Sequence, residues 1–156
     1  MIVRNITKSD YDYLRTRIDD WWRHPISYNL HANFLYHFGD TGFVAEEDGR
    51  VIGMTLGFIS QKKVGEAYVH MVAVDLEARG AGVARAMYEA FFAAVRARGC
   101  HAVSAVASID NKASVAFHTR MGFEIVRDGA LDMNGVPAIP DYSGPGRHRV
   151  VFYRKL

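Results

Sequence analysis

Apolar residues recur along this chain with two distinct periods. In "KSDYDYLRTRIDDWW" (8–22) Tyr11, Leu14, Ile18 and Trp21 or Trp22 fall at helical intervals, and Ser9 with Asp12 resembles a capping box. Before it, "IVRNIT" (2–7) reads as a short strand; after it, Pro25 stops the helix. A second helix is predicted over roughly 29–38, with Leu30, Phe34 and Phe38 on one side and Gly39 at its end. Asp48-Gly49 separates the apolar runs 42–47 and 51–61, which predicts a hairpin. Residues 66–75 ("EAYVHMVAVD") predict a strand dense enough in apolar residues to be buried on both faces.

The helical period is clearest from Gly82 to Arg98. Val83, Met87, Phe91, Ala94 and Val95 form one stripe, Arg85, Glu89 and Arg96 the opposite one, and Gly99 can cap the end. A strand at 101–108 follows, then a short helix from Lys112 to Met121 with Asn111 as N-cap and Gly122 beyond it. Residues 123–127 and 149–156 predict the last two strands. Between them lies a 21-residue stretch containing "GVPAIPDYSGPG" with no regular period. A loop that long in a compact domain is functional or disordered. The order of elements predicts an α/β fold: a mixed sheet with helices on both faces, in a single domain over 1–156.

Composition narrows the function classes. Nineteen Lys and Arg against 17 Asp and Glu leave +2, too balanced to argue for a nucleic-acid partner. The single cysteine, Cys100, permits neither an intrachain disulfide nor a thiolate metal cluster, and fits a reducing cytoplasm. The N-terminus lacks a signal-peptide layout, and no apolar run reaches the roughly 20 residues of a membrane helix.

The candidate chemistry begins at "RGAGVA" (79–84), where a strand gives way to the longest helix. The first N–H groups of a helix have no intrahelical partner, and the dipole there favours an anion. Gly80 and Gly82 remove the Cβ atoms that would keep a phosphate off the backbone, Ala81 and Ala84 stay small, and Arg79 adds a charge. A tight strand-to-helix turn would need the same glycines. A P-loop is excluded because no Gly-Lys is followed by Ser or Thr. A dinucleotide fingerprint lacks its third glycine, at Arg85, and its later acidic residue.

Arg79-Gly80-Ala81-Gly82-Val83-Ala84 resembles the Arg/Gln-x-x-Gly-x-Gly/Ala coenzyme A pyrophosphate motif of the GNAT N-acyltransferase superfamily. "VHMVAVD" resembles that family's central strand. "NKASVAFHTRMGF" (111–123) resembles its second motif, with Asn111, Ser114, His118 and Gly122-Phe123 at the fixed positions. His118 stands where Tyr, the general acid of many members, is common. The resemblance implies a mostly antiparallel sheet of about six to seven strands, acetyl-coenzyme A as acyl donor, direct attack by a primary amine, and at family level a homodimer.

The roles follow from that reaction. Backbone N–H groups near Val72, Ala73 and Val74 would face the thioester oxygen, and Arg79 to Ala84 the pyrophosphate. His70 is the first choice for the base: it shares a strand face with Tyr68 and Val72, and imidazole titrates near neutrality. Glu66, on the same face, would act through water. A histidine satisfied inside the sheet is the competing reading. Asn111, Ser114 and His118 lie along one side of their helix, and the resemblance implies contact with the pantetheine arm. For His118 that contact is preferred to acid catalysis. Phe117 is counted with the cofactor contacts although its helical angle, like that of Met121, points to core. The early aromatics Trp21, Trp22, Tyr28, Phe34, Tyr36 and Phe38 are core residues by default, some of them walls of an apolar acceptor pocket. Asp141 and Tyr142 are candidates to meet an ammonium. The rivals are a non-catalytic acyl-coenzyme A-binding module and a nucleotide-binding oxidoreductase.

Overall fold

In the computed structural model, which describes residues 1–156, the chain forms nine strands and five α-helices. They are β1 (Ile2–Asn5), α1 (Lys8–Leu14), α2 (Ile18–Trp22), α3 (Ala32–Phe38), β2 (Gly42–Glu47), β3 (Arg50–Ile59), β4 (Glu66–Val74), α4 (Val83–Arg96), β5 (Ala102–Ser108), α5 (Lys112–Arg120), β6 (Glu124–Ile125), β7 (Leu131–Met133), β8 (Val136–Ala138) and β9 (Arg149–Lys155). Seven strands make one sheet in the order β1-β2-β3-β4-β5-β9-β6, and β7 with β8 make a separate hairpin. The β4–β5 pair is parallel, whereas β1–β2, β2–β3, β5–β9 and β6–β9 are antiparallel. The mixed, mostly antiparallel sheet is the expected one.

The chain divides into two compact units, Met1–Ile59 with Val69–Gly99, and Ser60–Tyr68 with Cys100–Leu156. In the first unit the sheet is covered on both sides. Val44, Met54 and Leu56 pack with Leu14, Ile18 and Trp21 of α1 and α2, while the next residue in β2, Ala45, packs with Ile52, Val83 and Met87. Adjacent residues of a strand point to opposite faces, so α1–α2 and α4 lie on opposite sides of β2. Asp48 and Gly49 take positive φ of 50° and 76°, as the tight turn of the β2–β3 hairpin demands.

Several predicted boundaries change. The first long helix is two helices: α1 ends at Leu14, and α2 ends on Arg23, which adopts φ 54° before Pro25. The capping box is not Ser9 with Asp12 but Thr7 with Asp10, whose backbone and side chains satisfy each other. Asp10 is fixed there because Arg4 also grips its carboxylate at 2.7 Å. The second helix opens later than expected, with a 3₁₀ turn at Ser27–Asn29 preceding α3.

In the second unit, β5 pairs with β9 from Ala102↔Lys155 to Ser108↔Arg149, and β4 joins β5 through Glu66↔Ala102, Ala67↔Val103 and Tyr68↔Ser104. The late stretch is not patternless. Leu131, Met133, Val136 and Ala138 alternate around Asn134-Gly135, whose φ of 54° and 77° close the β7–β8 hairpin. An Asn-Gly pair between apolar residues is the same signal as Asp48-Gly49, hidden here by the surrounding Pro and Gly. Beyond it, Asp141 accepts from the Gly146 N–H at 2.7 Å, and Ile139 bridges to Arg149.

Candidate active site

The cradle residues belong to the first unit. β4 ends at Val74, a 3₁₀ turn covers Leu76–Ala78, and Gly82 is the N-cap of α4. Gly80 and Gly82 sit at φ 83° and 81°, where side chains are strained, so the turn itself requires them. A Cβ on either would meet nothing within 4 Å, so the same glycines border open space. No side chain caps α4, and its first internal bond is Ala86 N–H to the Gly82 carbonyl. The N–H groups of the first turn are therefore left without helical partners. Arg79 does not stretch away from the protein. Its guanidinium donates to the carbonyls of Trp21 and Val74, which pins it beside the start of the turn.

The strand before the cradle differs from its expected two-sided burial. Ala67, Val69, Met71 and Ala73 are buried, whereas Glu66, Tyr68, His70, Val72 and Val74 are half-buried. Val72 and Val74 pack against the cluster of Ala45, Ile52, Val83 and Met87, whereas His70 stacks on Phe34, which packs with the other core cluster. Along the first-unit part of β4, the carbonyl of Met71 accepts from Thr55 Oγ1 at 3.2 Å, and that of Val72 from the Trp22 indole at 3.1 Å. Ala73 is buried, so Val72 and Val74 are the more open members of the proposed oxyanion trio.

His70 stacks on Phe34 of α3, with ring centroids 4.3 Å apart and planes 10° from parallel. Its Nε2 is 3.4 Å from the carbonyl of Asn29. A carbonyl only accepts, so Nε2 carries the hydrogen and Nδ1 the lone pair of the neutral ring. Burial pushes the His70 pKa below its ordinary value, and His31 adds to this; the Asn29 carbonyl opposes both. The ring is neutral at pH 7, as a proton acceptor must be. Neither Phe34 nor Asn29 could be assigned to His70 from sequence, because no spacing rule joins a helix to a strand so far along the chain.

The other nominated residues lie in the second unit. Asn111 caps α5, its Oδ1 accepting from the Ser114 N–H at 3.0 Å. His118 and Phe117 exchange their expected places. His118 is 3% exposed, stacked on Phe152 at 4.5 Å and 9°, with Phe123 edge-on at 5.2 Å. Its Nδ1 donates to the Ser114 carbonyl at 2.8 Å, and Ser114 Oγ lies 3.2 Å away. Burial pushes its pKa down, against the Ser114 carbonyl. This is a satisfied core histidine, not one displayed beside Asn111. Phe117, by contrast, is half-exposed, and Met121 is core as expected. The reason is packing: the last turn of α5 closes onto β9, and Phe152 takes the ring that helical angle alone placed outward.

Glu66 ends in one buried carboxylate oxygen that accepts no hydrogen bond and lies 3.9 Å from Lys63 Nζ. At that range the contact is an ion pair at the limit of reach. Tyr68 is pushed up to about 12, first by burial and then by Tyr142, with Arg149 opposing, so its phenol stays neutral. Arg149 was not singled out by any motif; only the β5–β9 register brings it to this neighbourhood. Asp141 holds its own loop, its Oδ1 accepting from the Gly146 N–H and its backbone N–H donating to His148 Nδ1 at 3.0 Å.

A mixed seven-stranded sheet whose central strand runs into an uncapped, glycine-opened helix is the frame of an acyl-coenzyme A-dependent transferase. The chain belongs to the GNAT acetyltransferase family, whose model matches residues 3–123. It is 27% identical over 101 residues to N-alpha-acetyltransferase 30 of Schizosaccharomyces pombe, covering 64% of this chain and 67% of that protein. It is 25% identical to an uncharacterized N-acetyltransferase of Methanocaldococcus jannaschii, over 99% of this chain and 92% of that one. Other curated relatives are matched over only about half of their own length. Among solved structures, Ard1 from Thermoplasma volcanium superposes with a TM-score of 0.79 at 20% identity, covering 99% of this chain and 97% of that one. No helix is long and apolar enough to cross a membrane.

Proposed function

We propose that this chain transfers an acetyl group from acetyl-coenzyme A to a primary amine by direct attack, with both substrates bound. Acetyl-coenzyme A supplies the acyl group as an activated thioester. The observation that carries the reading is the open, uncapped start of α4, with Gly80 and Gly82 at positive φ and no atom within 4 Å of where a Cβ would stand. The N–H groups from Gly80 to Ala84 hold the pyrophosphate, and Arg79 supplies positive charge beside it. Backbone N–H groups of Val72 and Val74 receive the thioester oxygen as it gains charge, with buried Ala73 holding the strand between them. His70 accepts the proton that the acceptor ammonium loses before attack, and the second proton, shed as the carbon–nitrogen bond forms, neutralises the departing thiolate. Glu66 is the lesser candidate, because one carboxylate oxygen is sealed and Lys63 neighbours it.

Asn111, Ser114 and Phe117 contact the pantetheine arm, as the family motif implies. No acid role is assigned to His118, since its Nδ1 is committed to Ser114 and its ring is buried. A thiol near the cysteine reference pKa of about 8.5 leaves without a strong acid. The acceptor's ammonium meets the neutral Tyr68 and the exposed Tyr142, with Asp141 fixing the loop that carries Tyr142. The action takes place in the cytoplasm, on a small molecule or on a peptide amine.

Release of coenzyme A, measured with acetyl-coenzyme A over a panel of primary amines and peptides, tests the reading. Turnover with at least one amine is expected. Binding of acetyl-coenzyme A without turnover on any acceptor would favour the non-catalytic module, and stabilisation by NAD instead would favour the oxidoreductase.

A further inference from the structure

His70 is not held by its own strand alone. Phe34 covers one face of the imidazole at 4.3 Å, and Phe34 is itself braced by Phe38 at 5.6 Å and Phe58 at 6.2 Å. Phe38 and Phe58 meet at 5.3 Å, which closes the triangle of rings. At the ring edge, the Asn29 carbonyl receives Nε2–H from the end of the 3₁₀ turn before α3. A flat stack fixes the plane of a ring, and one hydrogen bond in that plane fixes its rotation and its tautomer. The element that supplies Phe34 has no fully buried residue, and Ala32, Phe34 and Leu35 pack half-exposed against the first unit's core. Its aromatic side chains are turned to the His70 cluster or to solvent, with Tyr36 63% exposed.

We propose that Phe34 is a positioning residue for His70, locking the imidazole plane while the Asn29 carbonyl holds Nε2–H, so that Nδ1 is the nitrogen that takes the substrate proton. The proposal rests on His70 being the base. In the step it serves, an N–H bond of the acceptor ammonium breaks, its electron pair becomes available to attack the acyl carbon, and the proton passes to Nδ1. The resulting imidazolium keeps its Nε2–H on Asn29 and later returns the proton to water. Against the ring stand Phe34 and His31 from α3 and its N-cap, and the Asn29 carbonyl from the 3₁₀ turn. The apolar cover and the neighbouring His31 both disfavour charge on the His70 ring.

The test is a nitrogen-resolved NMR titration of the His70 side chain in the full chain, which needs no acceptor. In the wild type the neutral ring should be the Nε2–H tautomer, titrating below 6.5. In Phe34→Ala, loss of the cover should raise the midpoint towards 6.5 and mix the two tautomers. Should Phe34→Ala fail to fold, Phe34→Leu, which keeps apolar volume without the flat stack, is read for tautomer mixing. A folded variant with the wild-type midpoint and the wild-type tautomer overturns the proposal. The base reading is tested separately by coenzyme A release in His70→Ala. Retained turnover there removes the base and leaves the NMR result to report on the stack alone, while lost turnover with an unmoved Phe34→Ala titration removes only the positioning role.

Discussion

The two interior histidines show how position decides the use of one side chain. Both are partly or wholly stacked on a phenylalanine, and both have depressed pKa values, chiefly from burial. His70 stands half-buried on β4 beneath Phe34, and a neutral imidazole there can take a proton. His70→Ala is expected to lower kcat about 10²–10⁴-fold, the usual worth of a general base, while acetyl-coenzyme A affinity changes little. Rate assays together with cofactor titration check this; an unchanged kcat in a merely less stable protein would make His70 structural. His118 has a different consequence. Its folded-state pKa lies below the unfolded value of about 6.5, so on acidification the unfolded chain binds its proton first. Stability is therefore complete above about pH 6.5 and is lost as pH falls through the folded value. His118→Phe, which keeps the aromatic stack on Phe152 and cannot titrate, should flatten the loss of stability between pH 7 and pH 5, measured by urea unfolding. Asn111 as a helix cap was legible in sequence because a cap is a local bond. The stack under each histidine was not, because Phe34 and Phe152 are remote from them in sequence.

Among the elements, the α4 start carries two demands on one residue. Gly82 needs positive φ, and it also leaves open the space assigned to phosphate. Gly82→Val should lose about 1–2 kcal/mol of stability, the cost of a left-handed conformation for an ordinary residue, together with coenzyme A affinity. Gly82→Asn separates the two demands, since Asn tolerates that conformation but still places a side chain at the cradle. It should melt closer to wild type and bind coenzyme A more weakly by calorimetry. Wild-type affinity in Gly82→Asn would mean that the glycine serves the turn alone. The same local logic governs α1, where Thr7→Ala should cost about 1 kcal/mol in urea unfolding by removing the capping box. Which threonine or serine caps α1 was misread, because Arg4 on β1 fixes Asp10. The β7–β8 hairpin had a readable Asn134-Gly135 signal, obscured by a composition that resembles a loop.

At the scale of the whole molecule, folding and cofactor binding are linked. A ligand that binds only the folded chain stabilises it by about 2.7 kcal/mol at a hundredfold excess over Kd. Acetyl-coenzyme A should therefore raise the melting temperature in a concentration-dependent way, and NAD should not; the converse in thermal-shift measurements would reverse the choice of cofactor. Periodicity, turn pairs and the Arg79–Ala84 pattern were enough to determine from sequence the order of elements apart from the split of the first helix and the β7–β8 hairpin, together with the family resemblance and the glycine-opened helix. These are local properties, set by backbone sterics, side-chain spacing and unpaired N–H groups within a few residues. The pairing of β9 between β5 and β6 placed Arg149, the docking of α3 placed Phe34 over His70, and the closure of α5 on β9 drew His118 into the core. Only the tertiary structure decided those, because each depends on which distant surfaces can exclude water together, and no local rule along the chain contains that information.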